Sequence, residues 1–223
     1  MFLQVIKKDL SITLSKKAKI FNLLFFFVLV ISIFPFTLSP YDGSLKIVSS
    51  GVLWVALLLS SHISMQYIYE DDFEDGSLEQ LFLTPDNKFL LILAKIIANF
   101  LSSSLIIVLF TPIAGLFYDL STDHILGLVI TMFIGGLTLN FLGSLAAAIT
   151  VGIKKSSVIS LALLIPFYIP TIIFGEISSN FAAISLSQHE FWVNFSLLLA
   201  IFLLICPVSV IASTYAVKAG IEE

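Results

Sequence analysis

The sequence predicts an all-α integral membrane protein of about six transmembrane helices with almost no soluble domain. Three observations predict it. The 223 residues are 58% hydrophobic and only 12% charged, whereas a soluble domain carries about a quarter charged residues. Mean hydropathy is +1.07, so lipid rather than water must face most of the surface. The apolar residues also fall into runs of about 20 or more, the length a hydrocarbon core of roughly 30 Å requires.

The elements follow in order. Residues 1–18 read as an amphipathic helix lying in the membrane interface. Phe2, Val5, Ile6, Leu10, Ile12 and Leu14 fall on one side, and Gln4, Lys7, Lys8, Ser11 and Ser15 on the other. Spans are expected at 20–38, 46–68, 89–117, 125–152, 157–174 and 192–216. The first is too long for the apolar core of a signal peptide and no small-residue cleavage site follows it, so it is expected to be retained. Pro166 and Pro170 are expected to kink the fifth span, since each removes a backbone donor. The less hydrophobic stretch 175–191, with Glu176, His189, Glu190 and Trp192, is expected to form a partly re-entrant piece on the outer face.

Lysine placement sets the expected orientation. With six spans both termini share a side, and that side collects Lys7, Lys8, Lys16, Lys17, Lys19, Lys88, Lys95, Lys154, Lys155 and Lys218. Lys46 alone falls on the other. Basic residues concentrate in cytoplasmic loops, so both termini are expected to face the cytoplasm. Lys95 is expected to snorkel from its span to the headgroups.

The informative segment is the polar loop 69–88. Glu70, Asp71, Asp72, Glu74, Asp75 and Glu79 crowd here, where an anionic leaflet repels them and a basic protein surface would attract them. Asp75-Gly76 is a turn signal. Ser77 with Gln80 fits a capping box, and Glu79 suits the first turn of a helix. Leu78, Leu81 and Phe82 form a stripe at i, i+3, i+4, and Thr84-Pro85 ends it. A helix over 76–83 so short must pack on something to be stable. The plainer alternative is a spacer between spans two and three.

The run Asp71 to Leu81, DDFEDGSLEQL, resembles the signature loop of the CcmB family, the membrane permease component of the cytochrome c maturation heme exporter. Further likeness lies at IFPF (33–36), SSGVLWVALLLSS (49–61), LAKI (93–96), FLGSLAAAITVGIKK (141–155) and the double-proline span. The resemblance implies an ABC-2-type permease with an N-terminal interfacial elbow and a cytoplasmic coupling helix between spans two and three. It implies that Asp71, Asp72, Asp75, Gly76, Ser77, Leu78, Glu79 and Gln80 contact a separate ATP-binding cassette subunit (CcmA-like). It further implies a heme-handling membrane protein (CcmC-like), a small membrane peptide (CcmD-like), membrane lipid around the chain, and a homodimer within the larger complex. Heme would be cargo, either exported or released on a loaded chaperone.

Other residue patterns narrow the function. No G-x-x-x-x-G-K-[ST] run is present, so the chain is not expected to be an enzyme by itself; ATP would act only through a partner. No C-x-x-C-H exists for covalent heme, and no metal site is expected. The eleven basic residues are all lysines, which argues against nucleic acid. His62, His124 and His189 read as packing or interfacial residues rather than heme ligands. Gly143-x-x-x-Ala147 and Ala148-x-x-x-Gly152 allow close helix contact, as intrachain packing or as a dimer seam. Two rivals to the permease remain: a membrane scaffold that only assembles heme-handling proteins, and a stand-alone secondary transporter. The latter calls for carboxylates at mid-membrane, whereas the carboxylates here fall in loops and at span ends.

Overall fold

The structure, a computed structural model, describes residues 2–38, 44–65, 67–85, 87–151, 156–184 and 187–222. Among these there are ten helices and no strand: α1 (Phe2–Ser15), α2 (Lys17–Thr37), α3 (Ser44–Met65), α4 (Tyr67–Glu74), α5 (Ser77–Leu83), α6 (Lys88–Ser102), α7 (Ser104–Phe117), α8 (Thr122–Ile149), α9 (Ser156–Ile184) and α10 (His189–Glu222). Six stretches are long and apolar enough to cross a membrane: α2, α3 with α4, α6 with α7, α8, α9 from Leu164, and α10.

The bundle is organised around α8, which packs against α3, α7, α9 and α10. Its sequence explains the central place. Gly127, Gly135, Gly136 and Gly143 alternate with Thr131, Thr138, Ser144 and Ala146, all buried, and such small side chains let backbones approach closely. Trp54 of α3 exploits this. Its ring lies against Gly135 of α8 and Gly175 of α9, where an added Cβ would come within 2.1 Å of the indole on either side. The indole N–H donates to the Ser179 hydroxyl at 3.2 Å, and that hydroxyl lies 2.8 Å from the Thr131 hydroxyl. The main core spreads from this point through Phe27, Leu53, Leu57, Met132 and Tyr168. At the outer edge, α2 and α10 present rows of exposed apolar side chains such as Phe21, Phe25, Leu203 and Leu204, which a lipid solvent requires.

Two expected elements differ from the structure. The fifth span does not stop at 174. α9 continues without interruption through both prolines and through 175–184, and Gly175 within this continuation admits the Trp54 ring. The stretch 175–184 is therefore not a separate re-entrant piece. The third span is not one helix either. It breaks at Ser103 (φ −129°, ψ −80°) between α6 and α7. The local cause is the run Ser102–Ser104. The Ser102 and Ser103 hydroxyls donate to the carbonyls of Ala98 and Asn99, a back-bonding that bends helices.

The break is held open by a buried polar network. Asn140 Nδ2 donates to Ser104 Oγ at 2.5 Å, and Ser104 in turn meets Ser61 at 2.8 Å. Asn99 Nδ2 donates to Asn140 Oδ1 at 3.0 Å, while Asn99 Oδ1 accepts from the Ser64 hydroxyl at 2.9 Å. These partners satisfy polar groups that lipid would leave unpaired.

Candidate functional site at the terminus-bearing end

The acidic stretch is helical from its start. α4 extends span two through Glu70, Asp71, Asp72 and Glu74, so these carboxylates ride on a helix rather than in a loop. The chain then reverses at Asp75-Gly76. Gly76 takes φ +72°, a left-handed backbone that costs a residue with a side chain about 1–2 kcal/mol. Asp75 Oδ1 accepts from the Ser77 amide at 2.9 Å and so starts α5; hydrogen bonding from Ser77 holds the Asp75 carboxyl below the ordinary carboxylate range. The capping box expected of Ser77 with Gln80 is not formed. The Ser77 hydroxyl donates instead to Asp72 Oδ1 at 3.0 Å, which pins the start of α5 to α4.

α5 has an inner and an outer face. Leu78 is 0% exposed and lies in a cluster with Tyr69, Ile92, Ile96, Phe141 and Val217. Leu81 and Phe82 pack toward Val5, Leu91 and Ala94. Glu79 and Gln80 face outward with Glu74 and Asp75, and Leu83 is 85% exposed. Beside this face runs a groove of about 480 Å³, lined by Glu79, Phe82, Leu83, Phe89, Tyr215 and Lys218 among others. It exists because α10 has 34 residues, a length of about 51 Å, and so overruns the hydrocarbon core to reach α5.

The eight residues singled out from the sequence fall in different places, with Ser77 bonded to Asp72 within the chain. Glu79, Gln80 and Asp75 are exposed, Gly76 makes the turn, and Leu78 is sealed inside. Asp71 and Asp72 are engaged within the chain. Asp71 Oδ2 takes Lys19 at 2.7 Å and Lys16 at 2.9 Å, and this carboxylate holds the Lys16 ammonium above its ordinary pKa. Lys19 also lies 4.2 Å from the centre of the Tyr67 ring. Asp72 pairs with Lys95, and Lys8 stands 3.8 Å away.

Lys95 does not snorkel. Its side chain is 2% exposed and reaches both Asp72 and Asp9, the latter at 3.2 Å. No motif in the sequence singles out Asp9, though its place on α1 one residue past Lys8 marks the elbow as charged in both signs. Removing one partner from such a buried set costs about 3–5 kcal/mol. Between these ion pairs opens a cavity of about 280 Å³, walled by α1, α2, α3, α4 and α6.

The small residues of α8 pack within the chain. A Cβ on Gly143 would come 2.5 Å from Met65 Cγ, and Ala147 and Ala148 belong to the cluster that includes Val210 and Val217 of α10. Gly152 lies outside the described residues. Of the histidines, His62 is buried with its ring edge-on to Tyr168 at 6.4 Å. His124 is buried with Nε2 2.7 Å from the Ser50 hydroxyl, inside the bundle rather than at its surface, and His189 opens α10 in an exposed position. Among the described residues no three His, Cys, Asp or Glu side chains gather as a metal site. At the opposite end, Lys46 pairs with Asp119 at 2.6 Å and holds that carboxyl below its ordinary range.

Comparison with known proteins adds the family. Residues 1–222 match the model of the CcmB protein family. The chain is 40% identical over 175 residues to heme exporter protein B of Haemophilus influenzae, covering 78% of this chain and 79% of that one. It is 33% identical over 223 residues to heme exporter protein B of Pseudomonas aeruginosa, covering 99% and 96%. With heme exporter protein B of Escherichia coli it shares 31% over 200 residues, covering 90% and 91%.

Proposed function

The chain belongs to the CcmB family, and from that membership we propose that it is the membrane permease subunit of an ABC-type complex in cytochrome c maturation. A separate ATP-hydrolysing partner docks on the outer face of α5 and drives either heme export or release of a heme-loaded chaperone. The chain itself is no enzyme in this reading; heme is cargo, and ATP acts through the partner. The complex sits in a bacterial inner membrane with both termini of this chain cytoplasmic, as its lysines favour. Two copies are expected, one per docking groove of an ATPase dimer, along with the heme-handling membrane protein and small peptide of the family.

The observation that carries the reading is the two-faced α5. Leu78 anchors it in the transmembrane core while Glu79, Gln80 and Leu83 stand outward. A helix so mounted receives a push on one side and delivers it on the other. The outward charge on and just before it is negative, at Glu74, Asp75 and Glu79, which steers a basic partner toward it. Asp71 and Asp72 support the helix from behind rather than meeting the partner.

Co-purification with the cognate ATP-hydrolysing partner tests this. The double variant Glu79→Lys, Asp75→Lys is expected to reach the membrane at normal level and to lose the partner at least tenfold. Full retention of the partner overturns the assignment and favours a scaffold that engages it elsewhere.

A further inference from the structure

Lys95 joins three helices that are far apart in sequence. Its ammonium lies between Asp9 of α1, 86 positions away, and Asp72 of α4, 23 positions away. Apolar clusters occupy the same helices, Val5, Leu91 and Ala94 in one and Leu78, Ile92 and Ile96 in another, while the cavity beside Lys95 is lined by Asp9, Asp72 and Asn99 among others. Apolar residues of similar volume would hold such a junction at least as firmly as a buried ionic set. What the charges add is a fixed mutual geometry of α1, α4 and α6, because one cation between two carboxylates has few alternative arrangements. Asp72 also accepts from the Ser77 hydroxyl at the head of α5, so the same carboxylate touches both the clamp and the outward helix. Two turns beyond Lys95, about 12 Å along the axis, α6 ends at the break at Ser103.

We propose that Lys95 is a positioning residue of the coupling machinery: it clamps the elbow α1 and the helix α4 onto α6, so that a displacement of α5 moves all three as one lever about the break at Ser103. The proposal rests on the reading of α5 as the docking helix. With the clamp intact, force on α5 enters the bundle through α6. Without it, α4 and α5 yield against the elbow and the force is spent in local bending. The Asp71 pairs with Lys16 and Lys19 are more exposed and tie α4 to the α1–α2 joint, not to α6.

The test uses the full complex, purified with its ATP-hydrolysing partner, and cells that depend on it for mature cytochrome c. Lys95→Met is expected to insert and to retain the partner. ATP hydrolysis should stay within about twofold of wild type while mature cytochrome c per inserted chain falls at least tenfold. Lys95→Arg, which can still meet two carboxylates, should recover maturation to within about threefold. If Lys95→Met fails to insert, Asp9→Asn replaces it; freeing the elbow alone should lower maturation several-fold at normal chain level. Unchanged maturation in the variant that inserts overturns the clamp. So does hydrolysis falling in step with maturation, since a part that only supports the fold would lower both. Failure of the wild-type chain to capture the ATPase would instead overturn the docking reading itself.

Discussion

At the residue scale the decisive contacts are those where no substitution fits. Gly175 and Gly135 hold the Trp54 ring from two helices, and a methyl at either would overlap it. Gly175→Ala therefore forces the ring to shift, a strain of about 1–3 kcal/mol. Thermal unfolding in detergent should show a lowered midpoint, and an unchanged midpoint would mean that the ring has free space to move. Nothing in the sequence marks Gly175 as a core residue. It stands next to Glu176 in a stretch of falling hydropathy, and only the approach of α3 gives it a partner. Gly143 teaches the same lesson. Its four-residue spacing to Ala147 announces a close contact, but spacing is silent on whose helix approaches, and the neighbour is Met65 of the same chain.

At the scale of elements, α5 is legible and its orientation is not. The turn signal at Asp75-Gly76 and the stripe Leu78, Leu81, Phe82 place a short helix where one stands. Which carboxylates face a partner depends on lysines 52 and 55 positions away from Asp71, and no local pattern reports that. Leu78 shows the consequence. Read as a docking residue it would be a surface position, but it is the bolt that seats α5. Leu78→Ala should leave a cavity and cost about 2–5 kcal/mol. Limited proteolysis should then cut between α4 and α6 sooner than in wild type, and equal cutting would show that α5 holds without it. Span three follows a similar pattern. Hydropathy joins 89–117 into one run, and the three serines at its centre are the sequence sign that the helix breaks there.

At the scale of the whole molecule, composition and the length of apolar runs fix the class, because lipid admits few solutions to satisfying the backbone. Pairing between distant helices has no such rule. The elbow is the clearest case. Its amphipathic pattern predicts a helix with an apolar face for lipid, and Leu3, Ile12 and Leu14 are exposed, but the pattern does not reveal that Val5 and Asp9 also pack it against α6. The molecule thus places its charges in two tiers at one end: an outward set on α4 and α5, and an inward set binding α1, α4 and α6. The outward set is open to a partner, and the inward set ties three helices to one another.

The seat of Trp54 also makes the protein its own optical probe. The chain has two tryptophans: Trp54 is fully buried where α3, α8 and α9 meet, and Trp192 is exposed near the start of α10. Trp192→Phe leaves a single tryptophan, at the centre of the bundle. Its emission should be blue, as for an indole shielded from water. If the assembled complex parts these three helices when ATP binds, water reaches the ring and the emission shifts red; a constant spectrum through the cycle would mean that α3, α8 and α9 travel as one rigid block.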